Sequence, residues 1–335
     1  MKWMTELMPT MGFDCASERE IREVMDVLEG NNAVKAAQKI IYAQPCKKLE
    51  DIHIAQAKGI KTTVADSVEE LLKLGNAKWN GSVLIRLLVD DAGSKQPFGK
   101  KFGAPIEWLS EMFQVAKVHK LNMTGFSFHV GSECEDPKQY YNAIAKTAEA
   151  ATTARKYGFK TQTIDIGGGF LPYESSFAAI ATQVKASRTR FFGSLYGKGV
   201  SFIAEPGRFL ASPTHTLYTP VIGKKPMYPP PKTENDPAWR ITIDESVYGA
   251  FSNIPFDGQK PVLERLRAAG KNEKQRPTTI FGRTCDSGDT IGTHVPMYDV
   301  QEGDVLVARN MGAYTTVTAS EFNGFPKAKK VYEMC

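Results

Sequence analysis

From Gly12 to about Phe209, short β-branched runs alternate with stretches whose apolar residues recur at helical spacing. GFDCAS precedes EREIREVMDVL, KIIYAQP precedes KKLEDIHIAQAKG, and KTTVA precedes SVEELLKLG. SVLIRLLVD leads through a loop to PIEWLSEMFQVAKVH, and TGFSFHVGS leads to KQYYNAIAKTAEAATTARKYG. TQTIDIGGG and SFIAEPGRF close the series. Strand and helix together take about 30 residues, the size of one barrel unit, so the pattern predicts an α/β fold, a parallel (β/α) TIM-like barrel, over residues 1–211. After Pro213 the pattern changes. TLYTPVI, RITIDESVYGAF, TTIFGR, DVLVARN, YTTVTAS and KKVYEM read as strands with few helical stretches between them. Residues 212–335 are expected to form an all-β domain, with the Pro- and Lys-rich GKKPMYPPPKTENDPAW as an exposed loop.

Barrels gather their chemistry at the C-terminal ends of the strands, and Arg86, His129, Gly167 and Glu205 all end or follow one. Gly167, Gly168 and Gly169 leave backbone N–H groups uncovered at a strand-to-loop junction, where a phosphate can approach closely. Glu205, Gly207 and Arg208 add a carboxylate, another open amide and a forked guanidinium. The guanidinium suits a phosphate. The carboxylate needs a cation, and a protonated ring nitrogen would serve, so the pair of motifs reads as a site for a phosphate-bearing heterocycle. A dinucleotide fingerprint fails because Pro172 stands in the third glycine's place, and G-x-S-x-G and Walker A sequences are absent.

Composition narrows the class further. At 335 residues, 42% hydrophobic and 24% charged, the chain has the make-up of an ordinary globular protein with one large core or two domains. It shows neither a cleavable signal pattern nor an apolar run able to span a bilayer, so a cytoplasmic enzyme without membrane partners is expected. A formal charge of +5, scattered in pairs such as Lys47-Lys48, argues against nucleic acid. Five cysteines without a C-x-x-C pair suggest reduced thiols, and five histidines without ligand spacing suggest no metal.

Eleven motifs in order then carry a resemblance: FDCASERE, IIYAQPCK, LIRLLVDD, KFGA, FSFHVGSEC, IDIGGGF, AEPGRF, VYGAFSNIPFD, RTCDSGD, NMGAYT and FNGF. Together they resemble the eukaryotic ornithine decarboxylases, which belong to the alanine-racemase-like fold III of pyridoxal-phosphate enzymes. The resemblance implies a barrel followed by a β-domain, pyridoxal 5'-phosphate as cofactor and ornithine as substrate. It also implies a homodimer with shared active sites and antizyme as a regulatory partner. By the same resemblance His129 stacks on the pyridoxal ring, Ser132 and Gly167 to Gly169 hold the phosphate, and Glu205 keeps the ring nitrogen protonated. Gly207, Arg208 and Tyr314 resemble further phosphate contacts, and Asp14 and Arg86 line the reacting side. Cys285 resembles the cysteine of the partner copy that reprotonates the α-carbon. Asp257 and Asp286 resemble the carboxylates that grip the distal ammonium.

The chain also departs from the family. PFYAVKCN, the strand whose lysine carries the cofactor covalently, is missing, and KWMTELMP runs through Thr10-Met11 straight into Gly12-Phe13-Asp14. One βα unit is therefore expected to be absent, together with the family's N-terminal strand. Lys47 in YAQPCK is no substitute, because that motif matches a different strand. Glu133 stands where the family has Gly, Arg283 where it has Pro, and Ser187 to Gly199 does not align. These departures keep two alternatives open: a non-catalytic regulator of the antizyme-inhibitor type, and a lysine, arginine or diaminopimelate decarboxylase of the same fold.

Overall fold

The computed structural model describes residues 2–28, 33–193, 199–270 and 273–333. The chain divides into two compact units, Met1–Pro206 and Gly207–Cys335. In the first, α1 (Lys2–Leu7) precedes β1 (Phe13–Cys15), α2 (Glu18–Leu28), α3 (Ala33–Gln38) and β2 (Ile40–Tyr42). Then come α4 (Leu49–Ala57), β3 (Thr62–Ala65), α5 (Val68–Asn76), β4 (Ser82–Arg86) and the short β5 (Ser94–Gln96). α6 (Leu109–Val118), β6 (Asn122–Ser127), β7 (Ser132–Cys134), α7 (Lys138–Lys156), β8 (Thr163–Asp165), α8 (Glu174–Phe192) and β9 (Ser201–Ile203) complete it.

Seven strands form one parallel sheet in the order β1-β2-β3-β4-β6-β8-β9, as the βα alternation predicts. Their inner positions are continuous apolar runs, such as Val83, Leu84 and Ile85, because helices cover such a sheet from outside. Local signals fix the helix ends: Ser67 caps α5 by accepting from the Glu70 amide at 3.2 Å. The β6–β8 ladder is so close that a Cβ on Gly125 would stand 1.9 Å from the Thr163 carbonyl oxygen, which admits only glycine. No ladder joins β1 to β9 among the described residues, so the sheet ends in two parallel edges. α8 has no counterpart in the strand–helix pattern read above. It buries only Ile180, Ser187 and Phe192 along 19 residues, too sparse a stripe to stand out in sequence.

The second unit holds α9 (Gly207–Ala211), α10 (Asn253–Asp257) and six strands: β10 (Leu217–Pro226), β11 (Trp239–Ile243), β12 (Leu263–Arg265), β13 (Arg276–Phe281), β14 (Thr290–Met297) and β15 (Val305–Ala308). Their order is β12-β15-β10-β11-β13-β14. Val221, Ile241, Ile243, Phe251, Ile280 and Leu306 lie at the centre of its core. α9, with Arg208, groups with this unit. Two expected strands are absent. YTTVTAS is coiled by hydroxyl-to-backbone bonds, Thr315 Oγ1 donating to the Met311 carbonyl at 2.6 Å and Thr318 Oγ1 to that of Tyr314 at 3.0 Å, and Tyr314 has φ 55°. In KKVYEM, residues 329–333 carry no strand, and the last residues lie outside the described part. β12 and β14 appear where no strand was expected.

Candidate cofactor and active site

At the C-terminal ends of the barrel strands lies a cavity of about 170 Å³, lined among others by Asp14, Arg86, Phe98, Phe102, His129 and Glu205. Asp14 stands on β1, Arg86 ends β4, His129 follows β6 and Glu205 follows β9, so parallel strand geometry alone brings the four together. Behind them Asp165, the last residue of β8, is fully buried. One of its oxygens accepts from the Gly167 amide at 2.9 Å, and the other, Oδ2, has no hydrogen-bond donor.

The electrostatics follow from burial. Loss of hydration, then the charge of Asp165, drives the Glu205 carboxyl well above the ordinary range. Asp165 is itself raised to about 6 by burial. Two carboxyls that share a dry corner hold a proton between them at neutral pH. Asp14 is also raised, by surrounding protein and then by Glu205, but its side chain meets solvent and water damps the effect. Arg86 is lowered by burial and lies over the Phe102 ring at 4.6 Å. His129 falls to about 3 through burial and then the Arg86 charge, so its ring is neutral. Its Nδ1 accepts from the Gly131 amide at 3.0 Å, which leaves the proton on Nε2.

The glycine loop is shaped by these neighbours. A Cβ on Gly168 would meet His129 Nε2 at 2.9 Å and the Glu205 carbonyl oxygen at 2.8 Å. Gly167 and Gly169 have φ 65° and 104°, and Tyr140 Oη donates to the Gly168 carbonyl at 2.7 Å. Ser132, buried on β7, belongs to a loop fastened to the glycines by the Cys134 amide donating to the Gly169 carbonyl at 2.9 Å.

A protonated ring nitrogen answers the surplus of acid, and the open glycine backbone suits a phosphate. Residues 1–212 match the family model for the pyridoxal-binding domain of pyridoxal-dependent decarboxylases. The chain belongs to that family. Its cofactor is pyridoxal 5'-phosphate. The chain is 35% identical to an ornithine decarboxylase of Caenorhabditis elegans, over 96% of this chain and 76% of that protein. It is 33% identical to antizyme inhibitor 2 of Xenopus laevis, over 96% of this chain and 71% of that protein. A solved arginine decarboxylase of Paramecium bursaria Chlorella virus, bound to agmatine, superposes with a TM-score of 0.86 at 32% identity, covering 97% of this chain and 84% of that one. Among the described residues, no helix is long and apolar enough to cross a membrane.

The remaining candidates of this family member fall in the second unit, in two groups. Arg208 Nη2 contacts both carboxylate oxygens of Asp257, at 2.8 and 2.7 Å, and its guanidinium lies over the Tyr314 ring at 4.8 Å. Two residues that the sequence assigned to different ligands are thus bonded to each other. Cys285 is exposed, its amide donating to Asn323 Oδ1 at 3.0 Å. Asp286 accepts from the Tyr248 hydroxyl, and the Tyr248 ring stacks on Phe322 at 4.2 Å. Gly207 opens α9, and a Cβ added there would meet nothing within 4 Å, so packing does not demand glycine at that position. Sequence reasoning missed Asp165, although it directly precedes the glycine run, and Phe98 and Phe102, which flank GKK in a loop without periodicity.

Proposed function

We propose that this chain is a decarboxylase-lineage protein built for removing the carboxyl group of ornithine, giving putrescine, with cofactor held without a covalent lysine tether. The observation that carries the reading is the carboxyl pair of cavity-lining Glu205 and the buried Asp165 behind it, in a cavity also lined by a neutral histidine. When bound, pyridoxal phosphate supplies the electron sink for the electrons left behind by carbon dioxide. Glu205 would hold a proton at the ring nitrogen, and His129 would lie on the ring face. Ser132, Gly167 to Gly169, Gly207, Arg208 and Tyr314 would serve the phosphate, and Asp14 and Arg86 the reacting side. Asp257 and Asp286 would face the distal ammonium of the substrate, which selects a short diamine by charge and reach. Asp257 must first exchange Arg208 for that ammonium. Cys285 would return a proton to the α-carbon, from the second copy of a homodimer with shared sites. Exposure of Cys285 supports that role.

Residues 1–335 carry no PFYAVKCN segment, which weighs on turnover. No lysine lines the cavity among the described residues, and the buried Lys47 is committed elsewhere: its Nζ lies 2.9 Å from Glu70 and donates to the Val64 and Gln44 carbonyls at 2.7 and 2.9 Å. This same feature, with the likeness to an antizyme inhibitor, favours the second reading, a regulator that binds antizyme and does not turn over. Borohydride reduction of the cofactor-saturated chain, followed by peptide mass spectrometry, tests the proposal. We expect cofactor binding in solution without a pyridoxyl-lysine peptide. A modified lysine would overturn the untethered site, and failure to bind the cofactor would favour the regulator.

A further inference from the structure

The antiparallel ribbon of β5 and β7 pairs Ser94 with Cys134 and Gln96 with Ser132, which sets Lys95 opposite Glu133. Lys95 Nζ lies 2.8 Å from Glu133 Oε2 and 3.6 Å from Glu135 Oε1. The Glu133 side chain is 5% exposed and that of Lys95 47%. Glu133 has φ 53°, a left-handed conformation that glycine adopts freely and that costs a side-chain-bearing residue about 1 kcal/mol. A carboxylate is therefore held, in a disfavoured backbone conformation, directly after Ser132 and one residue before the amide that binds Gly169. Alone, it would repel any phosphate bound by that serine and those glycines.

We propose that Lys95 is an electrostatic positioning residue for the cofactor: by pairing with Glu133 it cancels a buried negative charge beside the phosphate loop and keeps that loop fit for an anion. The inference rests on the reading that Ser132 and the glycine loop hold the phosphate. The charge balance gives opposite signs for two substitutions. Removing Lys95 takes a positive charge from beside Glu133, and removing Glu133 takes away a negative one while Lys95 keeps Glu135 at 3.6 Å, so the local charge shifts in opposite directions.

The test measures the affinity of the full chain for pyridoxal phosphate, and for pyridoxal without its phosphate, by fluorescence titration. Lys95→Met should weaken pyridoxal phosphate binding roughly 3- to 30-fold, the range for one charge beside an ion in a partly wet site. Glu133→Gln should tighten it by a similar factor, the double variant should return near the wild type, and Lys95→Arg should bind as the wild type does. Pyridoxal affinity should be the same in all five proteins. Equal pyridoxal phosphate affinities for Lys95→Met and wild type, or equal shifts for pyridoxal and its phosphate, would overturn the inference while leaving the cofactor reading intact. A wild-type chain that binds no pyridoxal phosphate would overturn both.

Discussion

Replacing Asp165 by Asn tests the buried acid pair directly. The carboxyl is raised from 3.8 to about 6, and a shift of one unit corresponds to about 1.36 kcal/mol, so its ionisation in the folded barrel costs up to about 3 kcal/mol. The sign follows from the raised value. The contribution of Asp165 to stability is fully present below its unfolded value of 3.8 and is lost as pH rises through about 6. Asn keeps the oxygen that accepts from the Gly167 amide, and it puts an N–H₂ where Oδ2 now lacks a donor. Asp165→Asn should therefore match the wild type near pH 4, gain on it between pH 4 and 7, and exceed it by up to about 3 kcal/mol at pH 8. Urea denaturation of the cofactor-free protein, followed by circular dichroism across that range, measures the gap. Parallel curves, or a variant weaker than the wild type at pH 8, would refute the account of a shared proton.

Three further outcomes are expected. Lys47→Met leaves the buried Glu70 with Lys73 as its remaining ion-pair partner and the Val64 carbonyl without its donor, and should cost about 1–3 kcal/mol in urea denaturation; an unchanged stability would contradict a structural role for Lys47. Gly168→Ala drives a methyl into His129 and the Glu205 backbone, so cofactor affinity in a fluorescence titration should fall at least about tenfold, equivalent to about 1.4 kcal/mol; unchanged affinity would remove the glycine loop from the site. Inserting a family-like βα unit of about 30 residues carrying FYAVKCN between Pro9 and Gly12 should yield a borohydride-trapped lysine and release of carbon dioxide from ornithine, both lost when that lysine is changed to Ala. A repaired, folded, cofactor-loaded dimer without ornithine decarboxylation would place the chain in the regulator lineage.

The barrel was legible because burial on both faces writes parallel strands as short apolar runs, and SVLIR and TGFSF stand out on that ground. Arg86, His129 and Glu205 were legible as residues of one cavity for a related reason: each ends or follows such a run, and barrels converge those positions, whereas Asp14, in the middle of β1, came only from the family resemblance. Asp165 was hidden because a carboxylate before a glycine run reads equally well as a turn former. Its role depends on the charges of Asp14 and Glu205, which come from other strands. YTTVTAS misled for the opposite reason, since its threonines favour strands in isolation but here bond their hydroxyls to nearby carbonyls. Nothing local could reveal that Arg208 and Asp257, 49 positions apart, pair with each other.

The end strands of the parallel sheet also carry the acids of the pocket. Among the described residues, β1 and β9 are the ends of the strand order, each with a ladder on one side. Asp14 lies on the first of these edges and Glu205 directly after the second, and both carboxyls are raised. A cation placed against both would lower them again. The family's lysine-bearing strand has that chemistry. Among the described residues lining the cavity, the guanidinium of Arg86 is the positive side chain that faces Asp14 and Glu205.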